Sequence, residues 1–159
     1  QTLRYAKSLL NVGLTYVKHR DFSAGEYPRL EYGSDASFAN HPDSKSQGGY
    51  TGRLVGQAVT AAVSGKSTAV HTSTTHAEEA WASECSRHAM YEVQLLCEIS
   101  IAVPIPVTHF MDNHAAILDA APPVRRFSKR TKHFLVSEKY VQQCVEMGVT
   151  KLQPSRRQV

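Results

Sequence analysis

Three carboxylates, Asp35, Glu78 and Asp112, are far apart in the chain, and each falls beside the end of a regular element. Asp35 lies near the end of a short strand within Leu30 to Ala39. Glu78 falls in the first turn of a long helical pattern, and Asp112 lies at a strand-to-helix junction. Singly, each has an ordinary structural use. An Asp at a strand end can satisfy a turn amide. Thr75-x-x-Glu78 has the form of a capping box, and Asp112 or Asn113 can cap the following helix. Together they point to one edge of one sheet. Like charges gathered there repel and need a cation. Carboxylate oxygens with open positions suit magnesium, which keeps waters and takes substrate phosphates. Two such ions about 4 Å apart activate water and stabilise the leaving oxygen of a phosphodiester. The chemistry this pattern suggests is therefore metal-assisted hydrolysis of nucleic acid.

Other site classes fit poorly. The eight histidines include no HExxH, and the pairs His71/His76 and His109/His114 are five apart, wrong for one helical face. Ser64-Gly65-Lys66-Ser67 lacks the first glycine of a phosphate-binding loop and reads as a turn. None of the three cysteines (Cys85, Cys97, Cys144) forms a CxxC pair or lies in a nucleophile motif. They read as reduced thiols of an intracellular protein.

The elements that must position the acids follow from periodicity. Leu3, Ala6, Leu9 and Leu10 share a helical face within residues 2–10, and 14–17 reads as a short strand. Residues 18–28 form a polar connector, and the Asp35 strand follows. Residues 40–49 are turn-rich. Residues 50–59 and 60–72 read as two further strands, weakened by Gly52 and Gly56 and by Ser64 to Ser67. From Thr75 to about Ile99, Ala77, Trp81, Cys85, Ala89, Val93 and Leu96 recur in steps of three and four, a long amphipathic helix. Val107 to Met111 reads as a strand, followed by a helix to about Ala121 that Pro122 and Pro123 close. A basic run, Arg125, Arg126, Lys129, Arg130 and Lys132, could grip phosphates or be a solvated loop. A last helix spans residues 131–147 with Gly148 as its stop, and Thr150 begins a final strand. This order predicts an antiparallel three-strand meander joined by later strands: a mixed α/β layer fold with the Asp35 strand central and the Asp112 strand beside it.

The totals allow this. At 159 residues, 42% hydrophobic and 20% charged, the chain suits one globular domain. A net charge of +4 and a pI near 9.0 permit a polyanionic partner. No apolar run approaches the ~20 residues that span a bilayer, and no signal peptide is visible. The first residue is Gln1 rather than Met, which suggests either a piece of a longer product or a missing start.

At these residues the sequence resembles the ribonuclease H domain of copia-type LTR retrotransposon polyproteins. LRYAKS at residues 3–8 with GLTY at 13–16 resembles the LRYLKGT…GLxY end of the reverse transcriptase region. YGSDASFA (32–39) resembles YSDADWA, and PDSKSQGGY (42–50) resembles PDxRRSTSGY. STTHAEE (73–79) resembles SSTEAEY, MDNHAAI (111–117) resembles CDNQSAI, and residues 130–133 match RTKH. Six short motifs occur in the family's order. The resemblance implies a ribonuclease H-like α/β fold over residues 29–154. Residues 1–28 would be the end of the reverse transcriptase connection, and 155–159 a basic tail. It places Asp35, Glu78 (rather than Glu79) and Asp112 on the family's catalytic metal-binding acids. It implies two Mg2+ ions and cleavage of the RNA strand of an RNA–DNA hybrid.

There are departures. Where the family continues RTKHIDI, this chain reads Arg130-Thr-Lys-His-Phe-Leu-Val136, so Leu135 stands at the fourth acid and cannot bind a hard cation. Glu138 lies three residues on, and Phe38 replaces the usual tryptophan. Of the family's terminal segment only residues 151–154 survive. Two readings follow: a hybrid-cleaving endonuclease weakened by the missing acid, or a domesticated, metal-free module acting as a structural or RNA-binding subunit. The first would work beside other parts of a polyprotein, the second within an RNA–protein assembly such as a ribosome.

Overall fold

The computed structural model describes residues 29–54, 59–120 and 134–155, with positions 7 and 11–13. Apart from Lys7, the expected N-terminal helix lies outside the described residues, as do the 14–17 strand, the connector, the basic run Arg125 to Lys132 and residues 156–159 of the tail. Five strands form one sheet: β1 (Leu30–Ser37), β2 (Gln47–Leu54), β3 (Val59–Lys66), β4 (Val107–Met111) and β5 (Thr150–Pro154). Three helices accompany them: α1 (Thr74–Glu98), α2 (His114–Asp119) and α3 (Phe134–Glu146). The strand order is β3-β2-β1-β4-β5. The first three strands are the expected antiparallel meander. β4 joins β1 in parallel and β5 joins β4 in parallel, so β1 is central.

Alternation explains β1. Leu30, Tyr32 and Ser34 are buried on one face, while Asp35 is exposed. The buried face meets α1 in a core of Leu30, Tyr32, Ala61, Cys85, Ala89 and Val107. The expected stripe of α1 is thus the buried one. The Tyr32 hydroxyl donates to Glu92 of α1, tying helix to central strand. A second cluster, Ala82, Met111, Ala116, Ala120 and Val141, seats α2 and α3. α3 ends as expected. Gly148 has φ +67°, its N–H donates to Val145 O, and Val149 N–H donates to Cys144 O, the paired bonds of a Schellman stop.

Three boundaries differ from expectation. β2 begins at Gln47, inside the stretch read as a loop, because Gly48 and Gly65 face each other across the hairpin beneath the Trp81 indole. A Cβ at Gly48 would lie 2.3 Å from that ring, so glycine here makes room for packing and does not mark a turn. β3 stops at Lys66: Ser67 N–H donates to Ser46 O and Ser67 Oγ accepts the Trp81 indole N–H, turning the chain away before residues 68–72. α1 begins one residue early, capped by Ser73, whose hydroxyl accepts from His76 N–H. The Thr75–Glu78 capping box is therefore absent, and Glu78 sits in the second turn. Among the described residues, no helix is long and apolar enough to cross a membrane.

Candidate metal centre

Parallel pairing between β1 and β4 ends at Gly33 and Phe110. Beyond that point the two strands belong to different halves of the sheet. Asp35 continues in register with Gly49 of β2, while Met111 O accepts Ser155 N–H on the β5 side. The gap opens an edge of β1, and Glu78 of α1 fills it: its Oε1 accepts the Ala36 N–H at 3.1 Å. Asn113, not Asp112, caps α2 by accepting from Ala115 and Ala116 N–H. Asp112 is left exposed beside the gap, as Asp35 is on its other side. Carboxylate oxygens of Asp35, Glu78 and Asp112 lie within 4.8 Å of one another. Glu79, by contrast, lines a separate hollow with Trp81 and His71.

The electrostatics follow from this geometry. Glu78 is 4% exposed, and its carboxyl is pushed up to about 7. Burial is the main cause, and the neighbouring Asp112 and Asp35 add to it, against the opposing Ala36 hydrogen bond. Glu78 Oε2 is buried with no hydrogen-bond partner. A buried carboxylate oxygen without a donor, beside two exposed carboxylates, fits a hard divalent cation bound through oxygen. Asp35 and Asp112 border an open groove of about 570 Å³ whose walls include Gly33, Ser37, Gly48, Gly49 and Thr51.

With three distant carboxylates drawn to the break in a five-stranded mixed sheet, comparison with solved structures becomes informative. The N-terminal RNase H domain of a Mycobacterium tuberculosis protein, solved as a maltose-binding-protein fusion, superposes with TM-score 0.57 at 10% identity, covering 82% of this chain and 85% of that one. The fold is ribonuclease H-like. The PFV RNase H domain gives 0.58 at 17% identity over 85% and 83%. The foamy viral protease–reverse transcriptase, solved with an RNA/DNA hybrid, gives 0.59 at 12% identity, covering 91% of this chain and 20% of that one. The sequence matches no protein-family model and no curated protein.

Of the residues singled out from sequence, Asp35, Glu78 and Asp112 are brought together. Arg125, Arg126, Lys129, Arg130 and Lys132 lie outside the described residues. Leu135 occupies the second position of α3, and its side chain is outside them too. Trp81 is a packing residue over the β2–β3 hairpin, while Tyr91 is 60% exposed on α1. Phe38 follows β1 in a turn and is 38% exposed. Sequence reasoning passed over one pair. Ser34 Oγ and His109 Nε2 share a buried hydrogen bond of 2.9 Å. Burial pushes His109 down to about 4, so the imidazole is neutral. The available signal was alternation: Ser34 falls two after buried Tyr32, and His109 two before Met111.

Proposed function

We propose that this chain is a ribonuclease H-type endonuclease that hydrolyses the RNA strand of an RNA–DNA hybrid with divalent metal ions, magnesium by the preference of its ligands. One observation carries the reading: three carboxylates within 4.8 Å, at the opening of the central strand of a ribonuclease H-like fold. Asp35, Glu78 and Asp112 would hold the ions, which supply a water of lowered pKa and charge stabilisation at the phosphate. The chain's own contribution is placement. Ala36 N–H fixes one oxygen of Glu78 and leaves the other aimed at no protein donor. The exposed Asp35 and Asp112 face the groove, whose glycines admit close approach by a nucleic acid backbone. The basic run Arg125 to Lys132 would hold phosphates by charge. The ordered motifs support an origin in a copia-type retrotransposon, and three free cysteines are consistent with an intracellular setting.

The test is cleavage of a labelled RNA–DNA hybrid in Mg2+ by the wild-type chain and by Asp35→Asn. Cleavage by wild type and its loss in the variant are expected. No cleavage at high enzyme concentration removes the enzyme reading, and unchanged cleavage by the variant removes the site. One observation favours a second reading, an inactive structural or RNA-binding module: Leu135, in the first turn of α3, stands where the resembling family carries an acid.

A further inference from the structure

Asp35 and Asp112 are carried by separate halves of the sheet. Backbone pairing between β1 and β4 stops at Gly33 and Phe110, before either acid is reached. From there β1 runs with β2, through Asp35–Gly49 and Ala36–Gly48, and β4 is held on its other side by Ser155 N–H. On the buried face, the hydrogen bond between Ser34 and His109 lies at the mouth of this split: His109 is still in register with Tyr32, and Ser34 is the first residue of β1 beyond the last pair. It is a diagonal pair, one residue before Asp35 and three before Asp112, and both side chains are more than nine-tenths buried. His109 Nδ1 has no hydrogen-bond partner, so a polar ring is kept here at a desolvation cost that an apolar residue would avoid.

We infer that the Ser34–His109 pair is a cross-strand clamp that sets the separation of Asp35 and Asp112 and so tunes metal affinity; it is a positioning device and touches neither metal nor substrate. The inference rests on the three acids binding a divalent cation. Glu78 ties α1 to β1 through Ala36 but makes no bond to β4, so among the described residues Ser34–His109 is the side-chain hydrogen bond joining the two acid-bearing strands. Partners bonded directly to metal ligands typically count for about 10- to 100-fold in metal affinity; the pair acts one step further out, through the strands that carry Asp35 and Asp112, which sets its effect at the low end of that range. A side chain that only filled the core would alter stability and leave the binding constant in place.

The test is calorimetric titration of Mn2+ alone into the full chain, with thermal unfolding of each variant in parallel. Ser34→Ala and His109→Phe are each expected to weaken Mn2+ binding by about tenfold or more. The double variant should be no worse than the weaker single, because both remove one interaction. His109→Gln, whose amide can still reach Ser34, should keep most of the wild-type affinity even if Ser34→Ala fails to fold. Val141→Ala, a packing change in the second core cluster, should lower Tm at unchanged Mn2+ affinity. Wild-type affinity in Ser34→Ala or His109→Phe, or equal loss in the Gln and Phe variants, overturns the clamp alone. Absence of Mn2+ binding by wild type overturns the metal-site reading and the clamp with it.

Discussion

Glu78 is asked to be both buried and ionised. Its carboxyl, pushed up to about 7 from an ordinary 4.5, binds a proton more readily in the folded chain than in the unfolded one. The stabilising effect of that proton is complete below pH 4.5 and is lost as pH rises through about 7. Glu78→Gln removes the penalty. In chelator-treated protein it should therefore leave stability unchanged at pH 4 and raise it at pH 8, measured by urea unfolding. A cation bound by the three acids, as proposed, would reverse the balance, because ligands must lose protons to bind. Mn2+ affinity of the wild type should rise between pH 6 and about 7.5 with proton release, a linkage that calorimetry in buffers of different ionisation enthalpy detects. Replacing any one acid, as in Asp112→Asn, should cut hybrid cleavage by more than about 100-fold, since even partners outside the ligand set commonly count for 10- to 100-fold.

At the scale of elements, the site depends on how β2 and α1 clasp β1. Gly48 lies under Trp81, and a methyl group there would lie 2.3 Å from the indole. Gly48→Ala should cost about 1–3 kcal/mol in stability, the usual range for overpacking, and should shift Trp81 fluorescence. α3 offers the complementary experiment. Leu135 is the second residue of that helix, where an acidic side chain is favoured by the helix dipole. If the position belongs to the metal centre, Leu135→Asp should increase cleavage by about tenfold, the order at which metal-site partners count, at little cost in stability. Unchanged turnover in that variant would show that the site works, or fails, on three acids.

For the whole molecule the relevant property is charge. The chain carries +4, and on the proposed function a phosphodiester would have to approach the local negative pocket that the acids form. Binding then needs positive charge near the pocket to outweigh it, and the Arg125 to Lys132 run is the densest source in the sequence. Replacing Lys129, Arg130 and Lys132 by Gln should weaken hybrid binding and reduce the slope of log Kd against log salt by about one per residue. Mn2+ binding should be unaffected, which separates phosphate contacts from the metal centre.

Much of this was written in local pattern. Spacing placed Ala77, Cys85 and Ala89 on one face of α1, and the same logic of alternation, unused for β1, would have put Leu30, Tyr32 and Ser34 on one face, because side-chain direction follows backbone period. The acids were legible as a group only because each falls beside an element end. What the chain could not show locally was which of two readings each acid obeys. Thr75-x-x-Glu78 is a valid capping box until Ser73 takes the cap; Asp112 is a valid cap until Asn113 does. Glycines 48 and 52 look like strand breakers until Trp81 and Tyr32 are seen lying against them. The meeting of Ser34 with His109, 75 residues apart, has no local signature. Sequence determined which residues face inward and which could bind a cation, since both depend on residue type and period. Tertiary structure decided which of them meet, because the end of β1–β4 pairing, and the Ala36 N–H it leaves for Glu78, is a property of how two strands distant in sequence pair.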